Sequence, residues 1–176
     1  MDKIRKQLTV SNGTQVVIRY TDLSNIIEEV FDELIKFKDT LTELILRNCY
    51  LRYIPDTIGN LTQLTVFDCS HNQLEFLPDT IGNLTQLTHF CCYHNQLEFL
   101  PDTIGNLTQL IDFSCSFNQL EYLPISMKFL EKLNYFRCDI DKIQNLDEDV
   151  YEKGGYEIIK WMQKNYSPMV KAACKK

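Results

Sequence analysis

The chain has 176 residues, a formal net charge of −6, 44% apolar and 24% charged residues, and only six glycines and five prolines. That length suits one domain or one repeat array, and the balance is globular rather than disordered or collagen-like. The acidic excess excludes a nucleic-acid binder working through a basic stripe, and no apolar run approaches the ~18 residues that span a membrane.

Residues Met1 to Gln7 lack the apolar stretch of a secretory leader, so a cytoplasmic location is expected, in the cell of origin or in a host's. Leu8-Thr9-Val10 and Val16-Val17-Ile18 flank Ser11-Asn12-Gly13-Thr14. Asn-Gly between alternating residues predicts a β-hairpin, because both residues tolerate the positive φ that a tight hairpin turn needs. Ser24 to Lys38 then reads as an amphipathic helix with Ile27, Val30, Phe31, Leu34, Ile35 and Phe37 on its apolar side. Glu28 and Glu29 come early in it and Lys36 and Lys38 late, as the helix dipole favours.

From Leu41 a 23-residue unit recurs over residues 41–63, 64–86, 87–109 and 110–132, with a decaying fifth copy from Leu133. The segment Pro-Asp-Thr-Ile-Gly-Asn-Leu-Thr-Gln-Leu appears unchanged at Pro55, Pro78 and Pro101, which points to internal duplication. In the second copy the fixed positions are Leu64, Phe67, Cys69, Asn72, Leu74, Leu77, Ile81 and Leu84; in the third, Leu87, Phe90, Cys92, Asn95, Leu97, Leu100, Ile104 and Leu107. Phe67-Asp68-Cys69 alternates as a half-buried strand does, with Asp68 on the open side. Leu77-Pro78 ends the strand side, and Asp79 or Thr80 is expected to cap a short helical turn carrying Ile81 and Leu84 inward. Asn72, Asn95 and Asn118 fall in the turn after the strand, where a buried amide satisfies backbone groups of adjacent coils. Cys49 takes that place in the first copy and Asp141 in the fifth, where the ladder is expected to weaken and end.

This order resembles the leucine-rich-repeat pattern L-x-x-L-x-L-x-x-N/C-x-L, with Phe at the second leucine and Cys at the third. The Leu-Pro followed by Ile-Gly-x-Leu is most similar to the intracellular class of repeats of about 23 residues, including the Ras-associated group. The resemblance implies an α/β solenoid, with parallel strands on the concave face and short helical or 3-10 turns on the convex face. About five coils would fill residues 41–146, between an N-terminal hairpin-and-helix cap over 1–40 and a C-terminal helical cap over 147–176. In that last segment Gly154-Gly155 breaks the chain before a helix bearing Tyr156, Ile158, Ile159, Trp161 and Met162, similar to the closing helix of many such arrays.

Cys69, Cys92, Cys115 and Cys138 repeat with the coil, so they read as a buried packing column of reduced thiols rather than a disulfide or zinc framework. Cys91 points to the open face near His89, Asp68 and Asp112; spread along a flat sheet, these make a poor tetrahedron, and neither metal nor cofactor is expected. The sequence holds no nucleophile elbow, phosphate loop, H-E-x-x-H or C-x-x-C, so no enzymatic activity is expected.

Family resemblance places a protein partner on the concave face, and strand alternation supplies its residues. The candidates are Glu43, Arg47, Asp68, His71, His89, Tyr93, His94, Asp112, Phe117, Tyr135 and Arg137, with Ser70 and Ser114 in the same outward register. The function expected is a non-enzymatic protein-interaction module, monomeric, that binds an intracellular signalling protein or a host target, without nucleic acid or membrane. The alternatives are self-association through a flank stripe, Tyr53, Phe76, Phe99 and Tyr122, which precedes the proline by two residues in each coil, and, less favoured, metal binding around His89 and Cys91. That stripe is expected to pack inward beneath the loop; exposed, it would offer a second interface.

Overall fold

A computed structural model describes residues 10–11, 14–144 and 155–165. The Asn12-Gly13 turn, the Gly154 breaker, the Tyr156 side chain and the lysine-rich tail lie outside these. The repeat folds as successive coils, each contributing one short strand to a seven-stranded sheet in strict chain order. The strands are β1 (Val10–Ser11), β2 (Gln15–Arg19), β3 (Glu43–Arg47), β4 (Val66–Asp68), β5 (His89–Cys91), β6 (Asp112–Ser114) and β7 (Tyr135–Arg137). β1 and β2 pair antiparallel, as a hairpin requires, and β2 through β7 are parallel. The register equals the repeat: Phe67 lies opposite Phe90, Phe90 opposite Phe113 and Phe113 opposite Phe136.

Period-two alternation sends Leu44 and Leu46, Phe67 and Cys69, Phe90 and Cys92, and Phe113 and Cys115 inward, all buried. The four phenylalanines stack with centroids 5.5, 5.3 and 5.6 Å apart. Flat rings suit this column because each presents its full face to the coils above and below. Burial pushes the Cys69, Cys92 and Cys115 thiols well above their ordinary range, and Cys138 to about 12, so the column is neutral and apolar.

The buried asparagines stitch coil to coil. Asn72 Oδ1 accepts the Cys49 and Leu51 amides at 2.9 and 3.1 Å, while its Nδ2 donates to the Leu46 and Cys69 carbonyls at 2.7 and 2.9 Å. Asn95 and Asn118 repeat the stitch one and two coils on, accepting the Leu74 and Leu97 amides and donating to the Cys69 and Cys92 and the Cys92 and Cys115 carbonyls. The expected role of Asp141 is corrected: it is exposed, and Asp139 finishes the ladder. The Asp139 carboxylate accepts the Phe117 amide at 2.9 Å and the Asn118 amide at 3.3 Å. With no sixth coil to supply carbonyls, a carboxylate two residues earlier reaches the open amides.

The convex side differs from expectation in one respect. Asp79–Asn83 and its equivalents are 3-10 turns, and their N-cap positions are prolines in extended backbone with no side-chain cap. Proline has no side-chain oxygen to offer, so neither Asp79 nor Thr80 caps. Instead the Thr103 hydroxyl donates to the Asp79 carbonyl of the preceding coil at 2.7 Å, and the Thr80 hydroxyl is buried without a partner. A glycine follows in each turn because the next coil nests against it. A Cβ at Gly82 would lie 2.6 Å from the Thr103 carbonyl oxygen, and one at Gly105 2.5 Å from that of Ser126.

The N-terminal helix is shorter than its apolar pattern suggests. α1 (Ile27–Leu34) passes into a 3-10 turn at Ile35–Phe37 and buries Ile27, Val30, Phe31 and Leu34. It occupies the place of a convex turn, so β2 and α1 form an enlarged first coil stacked on the repeats. At the other end α2 (Gly155–Asn165) buries Ile158, Ile159 and Met162 against β7 and the Ile125–Phe129 turn. Gln163 Nε2 donates to the Lys128 carbonyl at 3.1 Å. No helix among the described residues is long and apolar enough to cross a membrane.

Candidate protein-interaction face

The residues between the core positions line the opposite face of the sheet. At its N-terminal end Glu43 accepts from Gln15 Nε2. Next comes a polar triad: Arg47 Nε donates to Ser70 Oγ at 3.0 Å and lies 3.5 Å from Asp68 Oδ2. Asp68 Oδ1 accepts both the Ser70 hydroxyl at 2.6 Å and its amide at 2.9 Å. Ser70 is therefore buried, a departure from its outward register, because Arg47 reaches across it. Ser114 is buried too, its short side chain lying below the level of its neighbours.

A shallow hollow of about 260 Å³ follows, with Asp68, His89, Cys91, Asp112 and Arg137 on its walls. Arg137 Nη1 pairs with Asp112 Oδ1 at 3.2 Å. His89 is exposed, with Nδ1 2.9 Å from the Thr88 hydroxyl. Tyr135 is exposed on the last strand. Burial raises the Cys91 thiol above its ordinary range, which favours the protonated thiol over the thiolate. Among the described residues no group of three His, Cys, Asp or Glu side chains converges closely enough to hold a metal ion.

The ends of the strands carry a ring cluster. His71 and His94 stack at 4.9 Å, and His94 and Phe117 lie parallel at 6.1 Å. Tyr93 meets His71 and Phe117 edge-on at 5.1 and 5.2 Å. The turns after β3, β4, β5 and β6 each take a left-handed residue, and Asn48, His71, His94 and Phe117 have φ of 53°, 55°, 56° and 57° there. Asn adopts this conformation readily and His tolerably, whereas a bulky residue costs about 1–2 kcal/mol. The coil geometry needs the positive φ but not the rings. Phe117 is thus present at the expense of local strain, and it remains 59% exposed.

The histidine pair also has an electrostatic consequence. Partial burial, His94 and Arg47 lower the His71 pKa, against a smaller opposing pull from Asp68. A hollow of about 180 Å³ adjoins the pair, and its lining includes Asn48, Tyr50 and Gln73, which alternation along the strands did not single out. Their signal was the repeat register, since Asn48 stands where His71, His94 and Phe117 stand in later coils. The structure thus sorts the eleven candidates into a triad region, a salt-bridged hollow and a ring cluster, with Glu43 and Tyr135 at the two ends.

A family model described as leucine-rich repeat region matches residues 19–163. No curated protein matches the chain. Among solved structures, a leucine-rich-repeat protein of Leptospira interrogans is 30% identical, with a TM-score of 0.61 over 68% of this chain and 29% of that one. The functional domain of InlJ from Listeria monocytogenes, described as including a cysteine ladder, is 24% identical, with a TM-score of 0.62 over 76% and 27%. This chain spans less than a third of either. The family match over most of the sequence, together with the coil-by-coil register, shows that the chain belongs to the leucine-rich repeat family.

Proposed function

We propose that this chain is a non-enzymatic recognition module that binds a partner protein on the concave face of its sheet. Membership of the leucine-rich repeat family supports a protein-interaction role in general. The observation that carries the choice of face is the ring cluster of His71, Tyr93, His94 and the strained Phe117 on the same face as the Arg137–Asp112 pair. Aromatics supply large contact area at low entropic cost, and tyrosine and arginine are enriched among the residues that dominate the energetics of protein interfaces. Tyr93, Phe117, Tyr135 and Arg137 are the anchors, while Glu43, Arg47, Asp68, His71, His89, His94 and Asp112 set charge complementarity around them.

The partner on this reading is a protein of the same reducing compartment, cytoplasmic in the cell of origin or in a host. The free thiols of Cys49, Cys69, Cys92 and Cys115, all buried, suit such a compartment. Affinity capture with the wild-type chain beside a Tyr93→Ala/Arg137→Glu variant tests the proposal. A partner retained by the first and lost by the second supports it. Equal recovery by a folded variant moves the interface off the concave face.

A further inference from the structure

The flank stripe contradicts the expectation of inward packing. Leu74 and Leu77 fill the interior, so the intervening Phe76 turns out, and the next two coils repeat the arrangement. Phe76, Phe99 and Tyr122 are 44%, 55% and 54% exposed. Only Tyr53, in the first coil, is half-buried against the core, its hydroxyl donating to Glu28 at 2.9 Å. Tyr122 is anchored too, its hydroxyl donating to Gln144 Oε1 at 2.7 Å, but its ring stays open. Three exposed aromatics thus recur in register on one flank, outside the concave face.

Beside the three rings the charge is mainly negative, with exposed Arg52 in the same register one coil before Glu75. An exposed glutamate directly precedes each ring, as Glu75, Glu98 and Glu121, and exposed Asp79 and Asp102 follow just beyond the prolines. Among the described residues no ion pair involves any of these five carboxylates. A partner lying here must bring cations with its apolar surface. Arginine does both at once, stacking its guanidinium on a ring while pairing with the neighbouring carboxylate.

The spacing of the rungs selects the shape of that partner. Core rings repeat at 5.3–5.6 Å and paired strands at about 4.7–4.9 Å, which puts the advance of one coil at about 5 Å. One turn of α-helix advances about 5.4 Å, so a helix laid across the coils presents one side chain per rung. Alternate residues of an extended strand repeat at about 6.6–6.8 Å and drift out of step by more than about 1 Å per coil. We propose that the Phe76–Phe99–Tyr122 flank is a second docking surface, and that its occupant is a basic helix of a partner protein with arginines one turn apart.

A stapled helical peptide of about 16 residues with arginines at i, i+4 and i+7 is the probe, titrated by fluorescence anisotropy against the whole chain. Binding should weaken with added salt and fall at least about tenfold in a Phe76→Ser/Phe99→Ser variant. A Glu75→Lys/Glu98→Lys variant should lose the arginine peptide and gain one with glutamates in the same places. The Tyr93→Ala/Arg137→Glu variant should bind as wild type does, which separates this surface from the concave one. Circular dichroism checks that each variant is folded. Absence of binding, equal binding by the serine variant, or loss of binding only in the concave-face variant overturns the proposal. So does a concentration-dependent dimer in sedimentation that the serine substitutions abolish while the peptide fails to bind, since the occupant would then be a second copy of the chain.

Discussion

At the scale of single residues, the account rests on side chains whose neighbours are fixed by the 23-residue step. Asn95 is the clearest, because Leu74 N, Cys69 O and Cys92 O all depend on its amide. Asn95→Leu should cost about 2–4 kcal/mol in urea unfolding, since several buried backbone groups lose their partners together. Phe117→Asn should behave differently. Relief of left-handed strain, about 1 kcal/mol, offsets the lost ring contacts of about 0.5–1.5 kcal/mol, so stability should change by under about 1 kcal/mol while partner binding falls. His71 gives a pH signature. Its lowered pKa means the unfolded chain binds a proton that the folded chain resists. The contribution is fully present above the unfolded value of about 6.5 and is lost as pH falls through the lower folded value. In an NMR titration, His94→Gln should raise the His71 pKa toward its ordinary range; an unchanged value would remove the coupling.

At the scale of elements, the coil was readable because its constraints are periodic. The Phe67 and Cys69 columns, the outward Asp68 register and the Asn72 ladder all follow from positions that recur with one spacing. What escaped was set by dihedral angles or by the end of the array. The proline at each turn's N-cap leaves no oxygen for capping, which the nearby Asp79 and Thr80 disguised. Asp139 rather than Asp141 finishes the ladder, because extrapolating the period assumes a following coil. The burial of Ser70 depends on the length of Arg47 one strand away, and the exposure of Phe76 on Leu77 having already filled the interior. Positive φ at Phe117 leaves no mark in composition. Two substitutions probe the elements directly. Gly82→Ala forces apart two convex turns that meet backbone to backbone, and it should destabilise by about 1–3 kcal/mol. Ile158→Ala opens a cavity between α2 and the last coil, at a cost of about 2–4 kcal/mol.

At the scale of the molecule, stacking makes each coil the support of its neighbours, and α1 and α2 cover the apolar ends that stacking leaves open. The result is a continuous sheet whose outward face carries rings and paired charges and whose flank carries rings and carboxylates that form no ion pair among the described residues. Recognition through the concave face is the claim on which the functional account turns. Site-specific photo-crosslinking tests it most directly, with a benzophenone side chain at Tyr93 in one variant and at exposed Thr108, beyond the convex turn, in another. The account predicts a partner adduct from position 93 and none from position 108. An adduct formed from position 108 with none from position 93 would contradict it.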